Sequence, residues 1–326
     1  MNVDNGFKGG ATSKPIIEHV WSKDGTSEIF KAFYGYFKTY SSRALHSSSV
    51  DEARPLSPNF RLYHRPQLET KLIGPCAAIV HHDLNDPTSE IDIVHLIDRY
   101  RECALVFCLN SSQARQLDAL GLKTCIIAHG YHPDLLKVRQ LDRKARKAAP
   151  WTLGLFSRRY PSLVKGEAFL YELARQLPPH KIQFLMIGKD RHKDAEFLSR
   201  LGFKAEVREA KNYQDYIQAY HEIDGLLMMS VAEGGPASVP ECLAAGVALF
   251  TRNVGMVPDI AQNNEMVLRL SDMPQKDAAS ILQFLTKGCH IKAAQGGLSP
   301  HIHPWSDMVE NYEIEILKCL QNMGGR

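Results

Sequence analysis

A short apolar run, a polar turn and a helix-favouring stretch succeed one another along most of this chain, and the pattern starts again after Pro150. In the first half, Lys14–Trp21 (KPIIEHVW) reads as a strand, with a Gly25-Thr26-Ser27 turn and a helix over Glu28–Tyr40 behind it. Residues 41–58, rich in serine and proline, read as a loop. Phe60–His64, Cys76–His82, Ala104–Asn110 and Thr124–Gly130 are further strands, and Ser111-Ser112 caps a short helix ending at Gly121. The second half repeats the alternation from TLGLFS onward, with helices over Gly166–Leu177, around Ala195–Leu201, Tyr213–His221, Pro258–Gln262 and Ala278–Lys287. Strands there are KIQFLMIG, AEVRE, Ile223–Met229 and VALFTR. Alternation at this spacing builds a parallel sheet covered by helices. A restart builds two of them. The expected organisation is a first α/β domain over residues 1–149, a second over 150–304, and a long terminal helix from Trp305.

Composition narrows the partners. With 326 residues, 44% hydrophobic and 23% charged, the chain has ordinary globular material for two cores. A net charge of +3 is too small to point to nucleic acid. The seven cysteines are odd in number and include no CxxC pair, so they read as reduced thiols and not as a disulfide frame or zinc site. The first residues, MNVDNGFKGG, lack the basic patch and apolar run of a signal peptide, and no apolar run is long enough to span a membrane. A cytoplasmic protein is expected. The basic connector Lys137–Lys147 reads as a solvated linker, with a patch for anionic lipid headgroups as the other reading, so peripheral contact with a membrane stays open.

Chemistry concentrates between Glu233 and Gly246, EGGPASVPECLAAG. Two carboxylates, Glu233 and Glu241, flank a glycine-proline turn that follows a buried strand and opens a helix. Backbone N–H groups at such a helix start can face an anion, and the paired Gly234-Gly235 let something approach the backbone closely. Ser238-Val239-Pro240-Glu241 also fits a capping box, in which Glu241 only satisfies a backbone donor. Gly246 would end the helix in the left-handed conformation. Upstream, Ser157-Arg158 ends a strand and Lys165-Gly166 begins a helix. A lysine there opposes the helix dipole unless an anion sits beside it. Arg158, a planar fork, and Lys165, a point charge, suit a diphosphate.

These stretches resemble a known family. EGGPASVPECLAAGVALF is similar to the Ex7E signature of the retaining glycosyltransferases of family 4, which have the GT-B fold. LGLFSRRYPSLVKG resembles that family's strand, Gly-Arg loop and Lys-Gly helix start, with Ser157 where glycine is usual. FCLNSSQARQLDALG through IIAHGY is similar to the end of its first domain. The resemblance implies two Rossmann-like domains facing across a cleft, with the C-terminal helix crossing back to the first. It implies transfer of a sugar, with retention, from a nucleotide-diphosphate sugar to a glycan or lipid-linked acceptor, as in surface polysaccharide or glycoconjugate synthesis, and no bound metal or other cofactor. Arg158 and Lys165 would hold the diphosphate and stabilise the leaving group. Glu241 would accept from the ribose hydroxyls. Glu233, with the amides of Gly234, Gly235, Pro236, Ala237 and Ser238 around it (proline contributing no N–H), would contact the donor sugar and β-phosphate. His82 matches the histidine that ends a first-domain strand near the donor sugar, with His81 as the neighbouring choice of register. Gly25 and Thr26 would form the acceptor-side loop, although KDGTS lacks the usual Gly-Gly pair. A nucleotide-sugar epimerase or a phosphorylase on the same fold, and a non-catalytic glycan- or nucleotide-binding subunit, are the alternatives.

Overall fold

The computed structural model describes residues 14–21, 28–51, 57–139, 149–289 and 298–324. Two six-stranded sheets form, and every strand pairing in them is parallel. The first contains β1 (Ile16–Val20), β2 (Leu45–Ser48), β3 (Phe60–Tyr63), β4 (Cys76–Val80), β5 (Leu105–Cys108) and β6 (Thr124–Ile126), in the order β2-β1-β3-β4-β5-β6. The second contains β7 (Trp151–Phe156), β8 (Ile182–Ile187), β9 (Lys204–Arg208), β10 (Gly225–Met228), β11 (Ala248–Thr251) and β12 (Val267–Arg269), in the order β12-β11-β10-β7-β8-β9. Central strands such as β4 (CAAIV) and β10 (GLLM) are buried along their whole length. That is why their sequences are continuously apolar and do not alternate.

The connecting helices are α1 (Glu28–Tyr40), α2 (Ile93–Arg101), α3 (Ser111–Asp118), α4 (Leu135–Arg139), α5 (Glu167–Ala174), α6 (His192–Arg200), α7 (Tyr213–Glu222), α8 (Ser238–Ala244), α9 (Val257–Ile260), α10 (Pro274–Thr286) and α11 (Trp305–Gly324). Local chemistry starts several of them. The Asp92 side chain accepts from the His95 N–H, and Asn212 with Asp215 forms a complete capping box on α7. The cap of α3 is Asn110, whose side chain accepts from the Gln113 N–H, in place of the serine pair expected from the sequence.

α11 leaves the second sheet and packs on the first. The Tyr312 ring lies 4.5 Å from Phe107 and 5.5 Å from Phe37, and Trp305 stacks on Tyr36 at 4.3 Å. The crossing is pinned where the Tyr131 N–H donates to the His303 carbonyl and the Trp305 N–H donates to the Tyr131 carbonyl, each at 3.0 Å.

Three elements differ from the sequence reading. β2 lies inside the expected loop. It is a polar edge strand (LHSS) held by pairing with β1 from Ile16↔Leu45 to His19↔Ser48. Its own residues carry little strand propensity, so the neighbour decides. β12 and α2 are absent from the sequence reading: β12 is only three half-buried residues, whereas α2 does carry a helical period, burying Leu96, Ile97 and Tyr100 on one face. Of the basic connector, only the start is described, and there Arg139 donates to the Leu243 carbonyl at 2.9 Å. Residues 140–148 lie outside the described residues.

Candidate active site

In the second sheet the strand order reverses between β7 and β10. Connections leave to opposite sides there, which opens a crevice beyond the carboxyl ends of the two strands. The loop after β7 brings Arg158 and Lys165 to that crevice, and the loop after β10 brings Glu233. Lys165 Nζ donates to Glu233 Oε1 at 2.6 Å, with side chains 17% and 13% exposed, and the Ser230 hydroxyl donates to the same oxygen at 2.6 Å. Arg158 is exposed, its guanidinium 4.8 Å from the Tyr160 ring centre, and Lys165 Nζ lies 5.6 Å from the same ring. The two cations thus share one aromatic face, and only Lys165 is joined to the glutamate loop.

The backbone beneath them is fixed by glycine. Gly166, which precedes α5, has φ 84°. A Cβ there would stand 2.1 Å from the Met229 carbonyl oxygen, so only glycine lets the two loops touch. Arg191, 1% exposed, ties the same loop from behind. It donates to the Ser157 carbonyl at 2.8 Å, the Ser157 hydroxyl at 2.7 Å, Glu167 at 3.0 Å and Asp194 at 2.7 Å. The hydroxyl that replaces the usual glycine at position 157 is therefore a ligand of this buried arginine. Sequence reasoning missed Arg191, because no motif marks it.

Gly234 and Gly235 do admit a close approach, and what approaches is the first domain. A Cβ on Gly234 would stand 2.5 Å from the His81 carbonyl oxygen, and one on Gly235 would meet the Leu109 side chain at 2.5 Å. Asn110 Nδ2 donates to the Gly234 carbonyl at 2.7 Å, and the Ser111 N–H and hydroxyl donate to Asp259 at 2.7 and 2.6 Å. The glutamate loop is clamped between the domains. His82 stands at this seam. Its carbonyl accepts from Gln113 Nε2 at 2.7 Å, and its own buried Nε2 has no hydrogen-bond partner among the described residues. Burial, then the charge of Arg65, push the His82 imidazole down to about 4, against a smaller opposing effect of Asp86.

Glu241 does not cap its helix. Ala237, the residue before α8, makes no side-chain cap bond, and neither does the expected box at Ser238. Gly246 ends α8 with φ 67°, as its position suggested. The Glu241 carboxylate is 6% exposed and accepts from the Tyr213 and Tyr220 hydroxyls, the latter at 3.1 Å. Desolvation raises its pKa to about 7, while both tyrosine hydrogen bonds pull the other way. Tyr213 in turn packs on His132 at 5.3 Å and on Tyr36 at 6.1 Å, an aromatic wall that sequence spacing does not announce. Pro236 packs where a Cβ on Gly255 would go, which keeps the turn closed. Gly25 and Thr26 lie outside the described residues.

Two doubly wound parallel sheets with a final helix crossing from the second to the first define the GT-B fold class. Residues 152–287, within the second domain, match the family model described as Glycosyl transferases group 1. No curated protein sequence matches the chain. Among solved structures it is similar to HepE of Anabaena in complex with UDP-glucose, with TM-score 0.70 and 15% identity over 93% of this chain and 99% of that one. It is also similar to sucrose-phosphate synthase of Thermosynechococcus elongatus (TM-score 0.70, 11% identity, 95% and 100% covered). A third is the apo form of the lipopolysaccharide outer core galactosyltransferase WaaB (TM-score 0.60, 10% identity, 92% and 99% covered).

Proposed function

We propose that the protein is a glycosyltransferase that moves a sugar, with retention of anomeric configuration, from a nucleotide-diphosphate sugar to a glycan or lipid-linked acceptor. The observation that carries this reading is the Lys165–Glu233 pair at the reversal of strand order, beside Gly166 and the N-terminus of α5. A diphosphate entering there competes with Glu233 for Lys165. The ammonium and the Arg158 guanidinium then neutralise the charge that develops on the departing phosphate, and Glu233 turns to the donor sugar. Glu241 receives the ribose hydroxyls. His82 lies across the seam from Gly234, on the donor-sugar side. The amides from Gly234 to Ser238 complete the anion site.

The match of residues 152–287 to a glycosyltransferase family and the UDP-glucose named with the Anabaena neighbour support this reading. The same reading divides the chain at Pro150, joins α11 to the first domain, and assigns Gly25 and Thr26 to the acceptor side. It needs no metal, because side chains and a helix N-terminus do the charge work. It also places the enzyme in the cytoplasm, at or near a membrane face in polysaccharide synthesis; no described helix is long and apolar enough to cross a membrane.

A panel of nucleoside diphosphates in a thermal-shift experiment tests the donor site. At a hundred times its Kd, the cognate nucleotide should stabilise the protein by about 2.7 kcal/mol. Hydrolysis of the matching nucleotide sugar should follow. A panel with no stabilising nucleotide would remove the proposal.

A further inference from the structure

A line of hydrogen-bonded histidines crosses the first sheet, one for each of four neighbouring strands. Glu313 of α11 meets His46 Nε2 at 3.0 Å. His46 Nδ1 lies 2.9 Å from His19 Nε2, His19 Nδ1 lies 3.1 Å from His64 Nε2, and His64 Nδ1 lies 3.2 Å from His81 Nε2. Their ring centres are 5.1, 5.3 and 5.4 Å apart. Neighbouring strands lie about 4.8 Å apart, so one imidazole and one hydrogen bond fill each step. Register explains the diagonal course. His46 pairs with Ile17 and His19 follows two residues on; His19 pairs with Leu62 and His64 follows two residues on. The pairing of Tyr63 with Ala78 sets His64 level with Ile79, and His81 again follows by two. Each step therefore climbs toward the carboxyl end of the sheet. The last one ends at His81, whose backbone carbonyl lies against Gly234 of the glutamate loop.

The chain has a fixed end. The Glu313 carboxylate accepts from the Ser41 hydroxyl, from the Ala44 N–H at 3.1 Å and from the Ser42 and Arg43 N–H groups at 3.4 and 3.3 Å. Surrounded by donors, it is an acceptor only, so His46 must present Nε2–H to it. In a neutral His46 the Nδ1 is then a lone pair, which requires His19 to donate from Nε2, and the same logic passes through His64 to His81; a charged His46 would donate from Nδ1 and reverse every tautomer in the line.

We propose that this array is a tautomer relay, in which Glu313, through His46, His19 and His64, holds His81 as a neutral imidazole with its proton on Nε2 and its lone pair on Nδ1. Three of the rings, His19, His64 and His81, sit where burial keeps them uncharged. Burial, then the neighbouring His46 and His64, depress His19; burial and Arg65 depress His64 to about 3. Burial, then His64, His129, His82 and Arg65, depress His81. Burial opposes the Glu313 charge, and the hydrogen bonds from His46 and Ser41 prevail and hold its pKa below the ordinary value. A ligand group that meets His81 Nδ1 must bring a hydrogen. A sugar hydroxyl satisfies it and a phosphate oxygen does not. In this respect the relay rests on the donor-sugar reading given above, taken with His81 in place of its neighbour His82 as the histidine that meets the donor sugar, and with Glu313, His46, His19 and His64 as positioning residues for His81.

The experiment is histidine-selective nitrogen NMR on the full chain, which distinguishes a protonated ring nitrogen from one bearing a lone pair. Wild type should show the proton on Nε2 of His46, His19, His64 and His81. His46→Phe keeps a ring in the apolar contact with Phe37 and cuts the line from Glu313, so His81 should become a mixture of tautomers. Glu313→Gln retains an acceptor oxygen and should preserve the wild-type pattern. Turnover of a nucleotide sugar by His46→Phe should fall about tenfold, the loss of one well-directed hydrogen bond, and Glu313→Gln should keep the wild-type rate. A wild-type His81 protonated on Nδ1, or an unaltered His81 signal in a folded His46→Phe, overturns the relay. The spectra need no turnover, so a wrong substrate assignment fails in the kinetic arm and leaves the tautomer result standing.

Discussion

Lys165 and Glu233, sixty-eight positions apart in sequence, form a 2.6 Å ion pair between the loops after β7 and β10. Both are mostly shielded from solvent, so each holds the other's charge in the crevice. In the proposed reaction a diphosphate must exchange with Glu233 for the ammonium. Lys165→Ala should weaken nucleoside-diphosphate binding by about 1.5–3 kcal/mol, the value of a charge-assisted bond. Arg158→Ala should weaken it too, and by less, because its guanidinium is exposed. Calorimetric titration with the nucleotide from the thermal-shift panel checks both, and unchanged affinity in both variants would falsify the clamp.

Glu241 titrates in the physiological range. Its folded pKa is raised from 4.5 to about 7, so folding favours the protonated form. The stability this contributes is fully present below about pH 4.5 and is lost as pH rises through 7; the shift corresponds to roughly 3 kcal/mol. Glu241→Gln should flatten that decline relative to wild type in denaturant titrations taken from pH 4 to 8. Nucleotide affinity in wild type should rise through pH 7, because the ionised carboxylate is the stronger acceptor for ribose hydroxyls, and should stay level in Glu241→Gln. A pH-independent difference between the two proteins would return Glu241 to a purely packed role.

Much of this was legible before the structure. The restart of alternation after Pro150 is carried by apolar runs such as IQFLMI and GLLM, whose burial on both faces follows directly from their composition. Glu233, Lys165 and Gly166 stand at strand and helix ends, where local pattern is strong. Contacts between distant residues were not legible. The partner of Ser157 is Arg191, and the partners of Glu241 are Tyr213 and Tyr220; no spacing rule links them. The capping-box pattern at Ser238 was misleading, because burial among tyrosines outcompeted a local backbone bond for Glu241. His19, His46 and His64 read as scattered residues in sequence, and only the staggered register of four strands makes them a line.

Arg191 should prove one of the most sensitive positions in the second domain. Arg191→Met fills the volume and leaves Glu167 and Asp194 buried without their shared cation, a change that costs about 3–5 kcal/mol in comparable pairs. Ser157→Gly removes one acceptor and should cost about 1 kcal/mol. Chemical denaturation of the two variants should rank them in that order.

Glycines at positive φ separate backbone strain from contact. Gly121 has φ 77° and open space around its missing side chain, whereas Gly166 has φ 84° and the Met229 carbonyl against it. Gly121→Ala should cost roughly 1–2 kcal/mol, the price of the left-handed conformation. Gly166→Ala must also move the loop after β10, so its loss of thermal stability should clearly exceed that of Gly121→Ala, and nucleotide binding should fall with it. Equal melting temperatures for the two variants would show that the loops yield easily.

Metal should be dispensable. A strong chelator should leave donor hydrolysis intact if Arg158, Lys165 and the start of α5 supply the charge stabilisation. Activity lost to the chelator and restored by Mn²⁺ would refute that scheme.

The return of α11 ties segments far apart in sequence into one core. Tyr312 fills the space between Phe37 and Phe107, and Glu313 receives the backbone of residues 42–44 and the ring of His46. An early segment of the first sheet is thus completed by a helix 270 positions further along the sequence. Without α11 one side of the first sheet would stay open, and its histidine line would have no anchor. A helix that follows the second sheet in the chain is therefore part of the first sheet's core.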